Sequence, residues 1–285
     1  MVPAVKARAD VDGCGCVHCR ELDTNTLHRT VLDMLVWSAE LCRRYPSVIV
    51  LALSVVLADQ LLTALAPGTL PGPPLESFDL LTTLGSSVFL RAFNSTIVVG
   101  ELTGTPVSPP TALWASTKQF VTLTVIFVGT IAVGAFLAML LWLPVIGVVL
   151  LSGIPSTTPT GTVTGWVVAL VTFLPLLFIM FRFGLAIEAY VIGRYNSVKA
   201  LRISWRITAD HHGRFIRILL IAFLSSVALS TFGGLLGADG SFGVNGAMLQ
   251  PVTASLGKLT AVVWYAAFAH LYIQAVVEGS GDPAH

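Results

Sequence analysis

Charged side chains are scarce in this sequence. They make up 11% of the 285 residues, and the stretch from residue 119 to residue 181 contains none. Soluble domains carry about 25% charged residues because a surface in contact with water must be largely polar. The scarcity of charge and a mean hydropathy of +0.83 exclude an ordinary soluble domain and predict a chain embedded in a lipid bilayer.

The sequence also lacks the signals of several functional classes. No glycine-rich phosphate loop, HExxH or GxSxG motif is present, so we expect no catalytic residue, no enzymatic activity and no cofactor. The formal net charge of +1 gives no basic bias, and nucleic acid is therefore not an expected partner. Residues 1–46 carry charges throughout and contain no apolar stretch beside a cleavage site, so no removable signal peptide is expected.

Cysteine is also scarce and lies near the N-terminus, at Cys14, Cys16, Cys19 and Cys42. This placement does not indicate an extracellular disulfide framework. The first three, with His18, are weak candidates for a metal site, but structural zinc sites usually combine two separated pairs of ligands. We therefore expect no metal and interpret residues 1–46 as a cytoplasmic tail with a cysteine cluster.

Long apolar segments predict the fold. A bilayer core ~30 Å thick is crossed by about 20 apolar residues of helix. Six segments satisfy this length: residues 47–66, 78–99, 120–141, 164–186, 215–237 and 256–277. The predicted fold is an all-α, polytopic bundle of about six transmembrane helices over residues 47–278, followed by a C-terminal tail over residues 279–285.

The distribution of lysine and arginine predicts the orientation of these spans. The loops over residues 67–77, 151–163 and 238–255 contain neither residue type, whereas basic residues gather before the first span and in the connection over residues 187–214. Cytoplasmic loops are enriched in lysine and arginine. With six spans, the three cation-free loops share the outer side, and both termini lie in the cytoplasm of a multi-pass cell membrane protein.

Polar side chains within the predicted spans are candidate functional groups, because such groups are costly in a bilayer. They are Asp59, Arg91, Asn94, His270 and Gln274. Two interpretations remain open. Asp59 and Arg91 could form an ion pair that closes the bundle, or all five residues could line a polar pathway for an ion or a lipid headgroup.

Three further charged residues, Arg182, Glu188 and Lys258, lie near the predicted ends of spans. Long side chains at such positions can extend to the membrane interface. We therefore interpret these three residues as structural.

The basic connection contains a candidate surface helix that begins at Ser197. Val198, Leu201 and Trp205 fall on one predicted face, and Lys199, Arg202 and Arg206 fall on another. The alternative is that these cations serve only as a topology signal. The candidate contacts for lipid headgroups or a partner protein are Lys199, Arg202, Trp205, Arg206, Arg214 and Arg217.

A family resemblance rests on the same stretch, Asn196 to Thr208. Six of its residues match the family pattern: Ala200, Leu201, Ser204, Trp205, Arg206 and Thr208. With the segment from Phe268 to Tyr272, they resemble the six-helix membrane domain associated with glycerophosphoryl diester phosphodiesterases and related uncharacterised prokaryotic membrane proteins. The resemblance implies a prokaryotic plasma membrane. The family's soluble catalytic barrel has no counterpart here, so phosphodiesterase activity is not expected.

These features favour a non-enzymatic membrane module that interacts with lipid headgroups or a partner protein. The alternative is a small transporter or lipid-moving protein that uses the intramembrane polar residues. Small residues recur every fourth position in several spans, as in Thr130, Gly134 and Ala138, which favours close helix packing or a homo-oligomer. The expected partners are membrane lipids, with a partner membrane protein or a second copy as further possibilities.

Overall fold

The computed structural model describes residues 2–6, 27, 30–65, 74–152, 174, 177–238 and 246–278. The regular structure in these ranges is helical, which confirms the predicted all-α class. The helices are α1 (Val31–Arg44), α2 (Pro46–Leu65), α3 (Pro74–Leu102), α4 (Pro109–Ser152), α5 (Ala186–Val191), α6 (Ser197–Asp210), α7 (His212–Ala238) and α8 (Gly246–Glu278). Residues 177–182 form a further helical segment.

Helix α8 lies at the centre of the bundle and packs against α1, α2, α3 and α7. Most of its residues between Ser255 and Glu278 are buried by these neighbours. Ala266, Ala267 and Ala269 are fully buried. Their small side chains permit the close approach of neighbouring helices that is typical of membrane proteins.

Helices α4 and α7 show the opposite pattern, because they are apolar but little buried. Exposed apolar side chains include Val121, Val125, Val133 and Phe136 on α4, and Ile216, Leu220, Phe223 and Leu224 on α7. A helix that is hydrophobic on its outer surface is stable in lipid rather than in water. These faces are suited to contact with acyl chains.

Several helices are long and apolar enough to cross a membrane, as expected of a membrane protein. Among the described residues these are Pro109–Leu140, His212–Leu229 and Ser255–Glu278, and the bent pair Val31–Arg44 with Pro46–Leu61 could provide a fourth. Helices also occur at two other predicted spans, with α2 covering residues 47–65 of the first and α3 covering residues 78–99 of the second.

Two parts of the predicted N-terminal tail are ordered against the bundle, which the sequence analysis missed. Helix α1 begins after Thr30, whose hydroxyl oxygen accepts a hydrogen bond from the Asp33 N–H at 3.1 Å. It meets α2 at an angle of 85°. Upstream, the Val5 N–H donates to the Ile192 carbonyl at 3.0 Å. Residues 7–26, which include the predicted cysteine cluster, lie outside the described residues.

The junction between α1 and α2 is attached to the end of α3. Arg44 Nη1 donates to Glu101 Oε1 at 2.8 Å, and Tyr45 Oη donates to Glu101 Oε2 at 2.7 Å. Burial, followed by the hydrogen bond to Glu101, raises the pKa of Tyr45 to about 12. The phenol is therefore a neutral donor at physiological pH, and the junction retains both contacts.

The chain turns near the C-terminal end of the fourth predicted span, residues 164–186. The helical segment over residues 177–182 is followed by a turn over residues 183–185, and the chain then enters α5. A side chain at Gly184 would place its Cβ 2.5 Å from Phe215 Cζ. Glycine at this turn therefore permits the close approach of α7. Residues 153–173 of this region lie outside the described residues.

Candidate functional site

Helix α6 presents a basic face that is built on a buried apolar face. Its N-terminus is capped by Asn196, whose Oδ1 accepts a hydrogen bond from the Lys199 N–H at 2.9 Å. Ala200, Ile203 and Ile207 are buried against the protein. Capping and burial on one side therefore fix which residues α6 exposes.

The exposed face of α6 combines cations with apolar side chains. Val198 is 69% exposed and Trp205 is 39% exposed, and Lys199, Arg202 and Arg206 are also exposed. The sequence analysis placed Val198 and Trp205 on a face away from the cations, but the structure exposes both groups together. This mixture resembles the surface of an interfacial membrane helix.

The predicted contact cations differ in their environments. Arg202, Arg206 and Arg217 are exposed and form no ion pair within the described part of the chain. Lys199 Nζ lies 5.2 Å from the centroid of the Tyr195 ring. Arg214 Nη1 lies 2.7 Å from Glu278 Oε2, so its charge is largely neutralised.

Two buried hydroxyl groups on α6 support the turn that ends the helical segment over residues 177–182. Ser204 Oγ donates to the Arg182 carbonyl at 3.0 Å and accepts from the Leu185 N–H at 3.1 Å. Thr208 Oγ1 also lies 3.2 Å from the Arg182 carbonyl. The turn leaves backbone groups without helical partners, and these side chains satisfy them.

Arg182 lies at this turn within an aromatic cluster. Its Cζ atom is 5.2 Å from the centroid of Phe178 and 4.8 Å from that of Trp205. The Trp205 ring also contacts Phe178 and Phe183, with centroid distances of 5.7 and 5.6 Å. Each cation–π contact is worth ~0.5–2 kcal/mol.

The Arg182 guanidinium is incompletely satisfied. Its Nε and Nη1 atoms are buried and have no hydrogen-bond partner. A buried donor without a partner costs about 1–3 kcal/mol. From the sequence, Arg182 is expected to be a structural residue at the membrane interface. Its position four residues after Phe178, about one helical turn, is the sequence signal for the contact between the two side chains.

A second arginine, Arg91, is fully engaged within the protein. Its Nε and Nη2 atoms lie 2.5 and 2.7 Å from the two carboxylate oxygens of Glu188, and Nη2 also donates to the Gly184 carbonyl. Glu188 is completely buried. The Arg91 Cζ atom lies 5.2 Å from the Phe268 ring centroid. Glu188 therefore neutralises Arg91 from the short helix α5.

The ion pair between Asp59 and Arg91, one of the two interpretations that the sequence leaves open, is not among the contacts of the described residues. Asp59 Oδ1 instead lies 3.4 Å from Thr82 Oγ1. Comparing the depths of Asp59 and Arg91 along their two spans could not identify Glu188 as the partner of Arg91. Glu188 reaches the interior only because the chain turns at residues 183–185.

The remaining polar candidates make separate contacts, two between helices and one within α8. Asn94 Nδ2 donates to the Val262 carbonyl at 2.6 Å, and Gln274 Nε2 donates to Glu278 Oε1 at 2.8 Å. The His270 ring makes an edge contact with Trp37, with a centroid distance of 5.0 Å. Asn94 and His270 thus connect α3 and α1 to α8 at separate places, whereas the Gln274 contact lies within α8.

An apolar cavity of about 240 Å³ lies beside the Arg91–Glu188 pair, between α4, α7, α8 and the chain around residue 184. Phe127, Phe181, Phe215 and Phe268 contribute to its lining. Of the five predicted intramembrane polar residues, Arg91 is the one that borders this cavity. The five residues therefore do not line this space as a common pathway.

The described residues contain no group of three or more histidine, cysteine, aspartate or glutamate side chains that could hold a metal ion. The weak candidates Cys14, Cys16, Cys19 and His18 lie outside the described residues. Cys42 is buried and forms no disulfide.

Comparison with known proteins adds no functional assignment. No family model matches the chain, no curated protein matches it, and no solved structure matches it. The resemblance to the phosphodiesterase-associated membrane domain therefore stays a prediction, and the functional argument depends on the contacts described above.

Proposed function

We propose that this protein is a non-enzymatic module of the cell membrane that interacts with anionic lipid headgroups through the exposed face of α6. The observation that supports this proposal most strongly is the pair Arg202 and Arg206, exposed without ion-pair partners in the described chain and adjacent to the exposed Trp205. In this proposal six helices span a prokaryotic plasma membrane, and α6 lies on its cytoplasmic side.

The composition of the face suits the membrane interface. A cation near an anionic leaflet contributes ~1 kcal/mol, although salt reduces this attraction for exposed charges. Tryptophan is enriched at the boundary between headgroups and acyl chains. Lys199, Arg202, Arg206 and Arg217 provide the attraction, while Arg214 contributes less because Glu278 neutralises it.

The alternative, a small transporter or lipid-moving protein, would need the intramembrane polar residues along one route. Asp59, Arg91, Asn94 and His270 instead contact different partners on different helices. The headgroup proposal requires no such route, and we therefore prefer it.

Removing two cations from α6 tests the proposal. The full-length double variant Arg202→Gln/Arg206→Gln and the wild type are reconstituted in vesicles of phosphatidylcholine and phosphatidylglycerol. The measurement is the ratio of the two lipids that remain with the protein after gentle extraction. We expect the wild type to enrich phosphatidylglycerol at low salt, and the double variant to lose about tenfold in relative affinity, since two cations supply ~2 kcal/mol before screening.

A double variant at Arg43→Gln/Lys118→Gln is the matched control, because it removes two exposed cations from α1 and α4. We expect it to enrich phosphatidylglycerol as the wild type does. If the wild type shows no preference for phosphatidylglycerol at low salt, the headgroup role is wrong. Equal losses in the two double variants would show a general charge effect and also contradict a role of α6.

A further inference from the structure

We propose that Arg182 binds a phosphate oxygen of the lipid headgroup and is the specific anion contact behind the basic face of α6. This inference rests on the proposed function and deepens it, since it assigns the ligand chemistry to one side chain. The ligand class is a phosphate group, carried by an anionic phospholipid.

Arg182 differs from Arg91 in the oxygen acceptors that its guanidinium group contacts. Both guanidinium groups contact aromatic rings, and both lie beside the turn at residues 183–185. Arg91 has the two oxygens of Glu188 and the Gly184 carbonyl. Among the described residues, Arg182 has no acidic partner, and its buried Nε and Nη1 atoms have no hydrogen-bond acceptor. A shielded guanidinium requires oxygen acceptors, and in this proposal a bound phosphate supplies them.

The geometry around Arg182 favours a phosphate oxygen. The Phe178 and Trp205 rings both contact the guanidinium, with their centroids 5.2 and 4.8 Å from its Cζ atom, and these contacts restrict its movement. A planar guanidinium that is stacked in this way presents a rigid fork of N–H donors, which matches phosphate oxygens. The residue is partly exposed as a whole, while its Nε and Nη1 atoms are buried, so a phosphate would approach the guanidinium from the side of Nη2.

The surroundings would deliver an anion to this position. Trp205 lies between Arg202 and Arg206 on α6, and its ring contacts the Arg182 guanidinium. Ser204 and Thr208, on the buried side of the same helix, hold the Arg182 carbonyl. The exposed cations thus attract a headgroup through long-range electrostatic attraction. Helix α6 also positions Arg182, which contacts the phosphate of that headgroup.

Conservative variants separate these two contributions. The wild type, Arg182→Lys and Phe178→Leu are reconstituted as full-length proteins with phosphatidylglycerol and phosphatidylcholine. Native mass spectrometry then counts the phosphatidylglycerol retained after extraction at high salt. Arg182→Lys keeps the charge but loses the planar fork, and Phe178→Leu changes a half-exposed ring that stacks on it.

We expect the wild type to retain phosphatidylglycerol at high salt, because a shielded contact is screened less than exposed charges. Retention should fall about tenfold in Arg182→Lys, the effect of losing one charge-assisted hydrogen bond, and partly in Phe178→Leu. Arg43→Lys, an exposed arginine on α1, is the matched control and should retain the lipid. Thermal unfolding of each variant in detergent checks that it is folded.

Three results would contradict parts of this account in different ways. Equal high-salt retention by the wild type and Arg182→Lys, with low-salt enrichment still lost in Arg202→Gln/Arg206→Gln, overturns the role of Arg182 alone. Absence of low-salt enrichment in the wild type overturns the proposed function. If inorganic phosphate raises the unfolding temperature of the wild type but not of Arg182→Lys, and no lipid is retained, the lipid assignment is wrong and soluble phosphate is the ligand.

Discussion

At the scale of single residues, buried charge is stabilised by partners that sequence spacing does not reveal. Arg91 and Glu188 are 97 positions apart in the chain, yet their side chains make a bidentate contact. Arg91 is unusual in the sequence because it lies within an apolar segment, but the sequence left its partner open. The rule that charged groups are rare in lipid identifies candidates. The pairing depends on tertiary structure and could not be predicted.

The Arg91–Glu188 pair should contribute more to the free energy of unfolding than the exposed Arg44–Glu101 pair at the end of α3. Glu188→Gln leaves the Arg91 charge without its counter-ion, and we expect a loss of about 3–5 kcal/mol in the free energy of unfolding. The double variant Arg91→Met/Glu188→Leu removes both charges and should recover a large part of this loss. Denaturant-induced unfolding of the detergent-solubilised proteins provides the measurement.

Arg44→Gln is the control for this prediction. It disrupts the contact with Glu101, in which the Arg44 side chain is 55% exposed, and an exposed pair is worth below about 1 kcal/mol. The double variant is also compared with its two single variants, one at Arg91 and one at Glu188. If both single variants lose much of the free energy of unfolding and the double variant loses the sum, the two residues act independently, contrary to the observed contact.

At the scale of helices, α6 combines an exposed basic face with a buried side that supports a neighbouring turn. Its exposed face carries the cations, and its buried hydroxyl groups bind the turn that follows residue 182. The residues on which the resemblance to the phosphodiesterase-associated membrane domain rests include Ser204, Trp205 and Thr208. In this structure Ser204 and Thr208 contact that turn, and Trp205 contacts the Arg182 side chain, so all three also have a structural role.

The hydroxyl groups of Ser204 and Thr208 should therefore be needed for stability. The double variant Ser204→Ala/Thr208→Val leaves the Arg182 carbonyl and the Leu185 N–H without these partners, and we expect a loss of about 1–3 kcal/mol in the free energy of unfolding. Thr117→Val is the control, because Thr117 is exposed and bonds only to the Leu113 carbonyl of its own helix. Equal, small effects in both proteins would show that the turn does not depend on α6.

Helices with long apolar runs could be predicted from hydropathy, whereas the amphipathic helix α1 could not. Hydropathy located the helices α2, α3, α4, α7 and α8, because long apolar runs are detectable without knowledge of packing. It did not locate α1, which is amphipathic and carries charges, although Thr30 before Asp33 is a capping signal. Hydropathy also does not register the turn over residues 183–185, which is stabilised by hydroxyl groups of another helix.

At the scale of the whole molecule, charge is distributed unevenly between the two predicted sides of the membrane. The cation-free loops over residues 67–77, 151–163 and 238–255 contrast with the basic connection that contains α6. The same asymmetry predicts topology and places the basic face against the leaflet where anionic lipids are concentrated. The proposed function therefore requires that α6 and these loops lie on opposite sides of the bilayer.

The accessibility of single cysteines tests this requirement most directly. Val198→Cys in α6, Thr158→Cys and Ala238→Cys are each introduced into a protein without other cysteines and treated with a membrane-impermeant thiol reagent on intact cells. We predict labelling at positions 158 and 238, and labelling at position 198 only after the membrane is permeabilised. Labelling of position 198 on intact cells, with positions 158 and 238 protected, would contradict the cytoplasmic placement of α6 and with it the proposed contact with the inner leaflet.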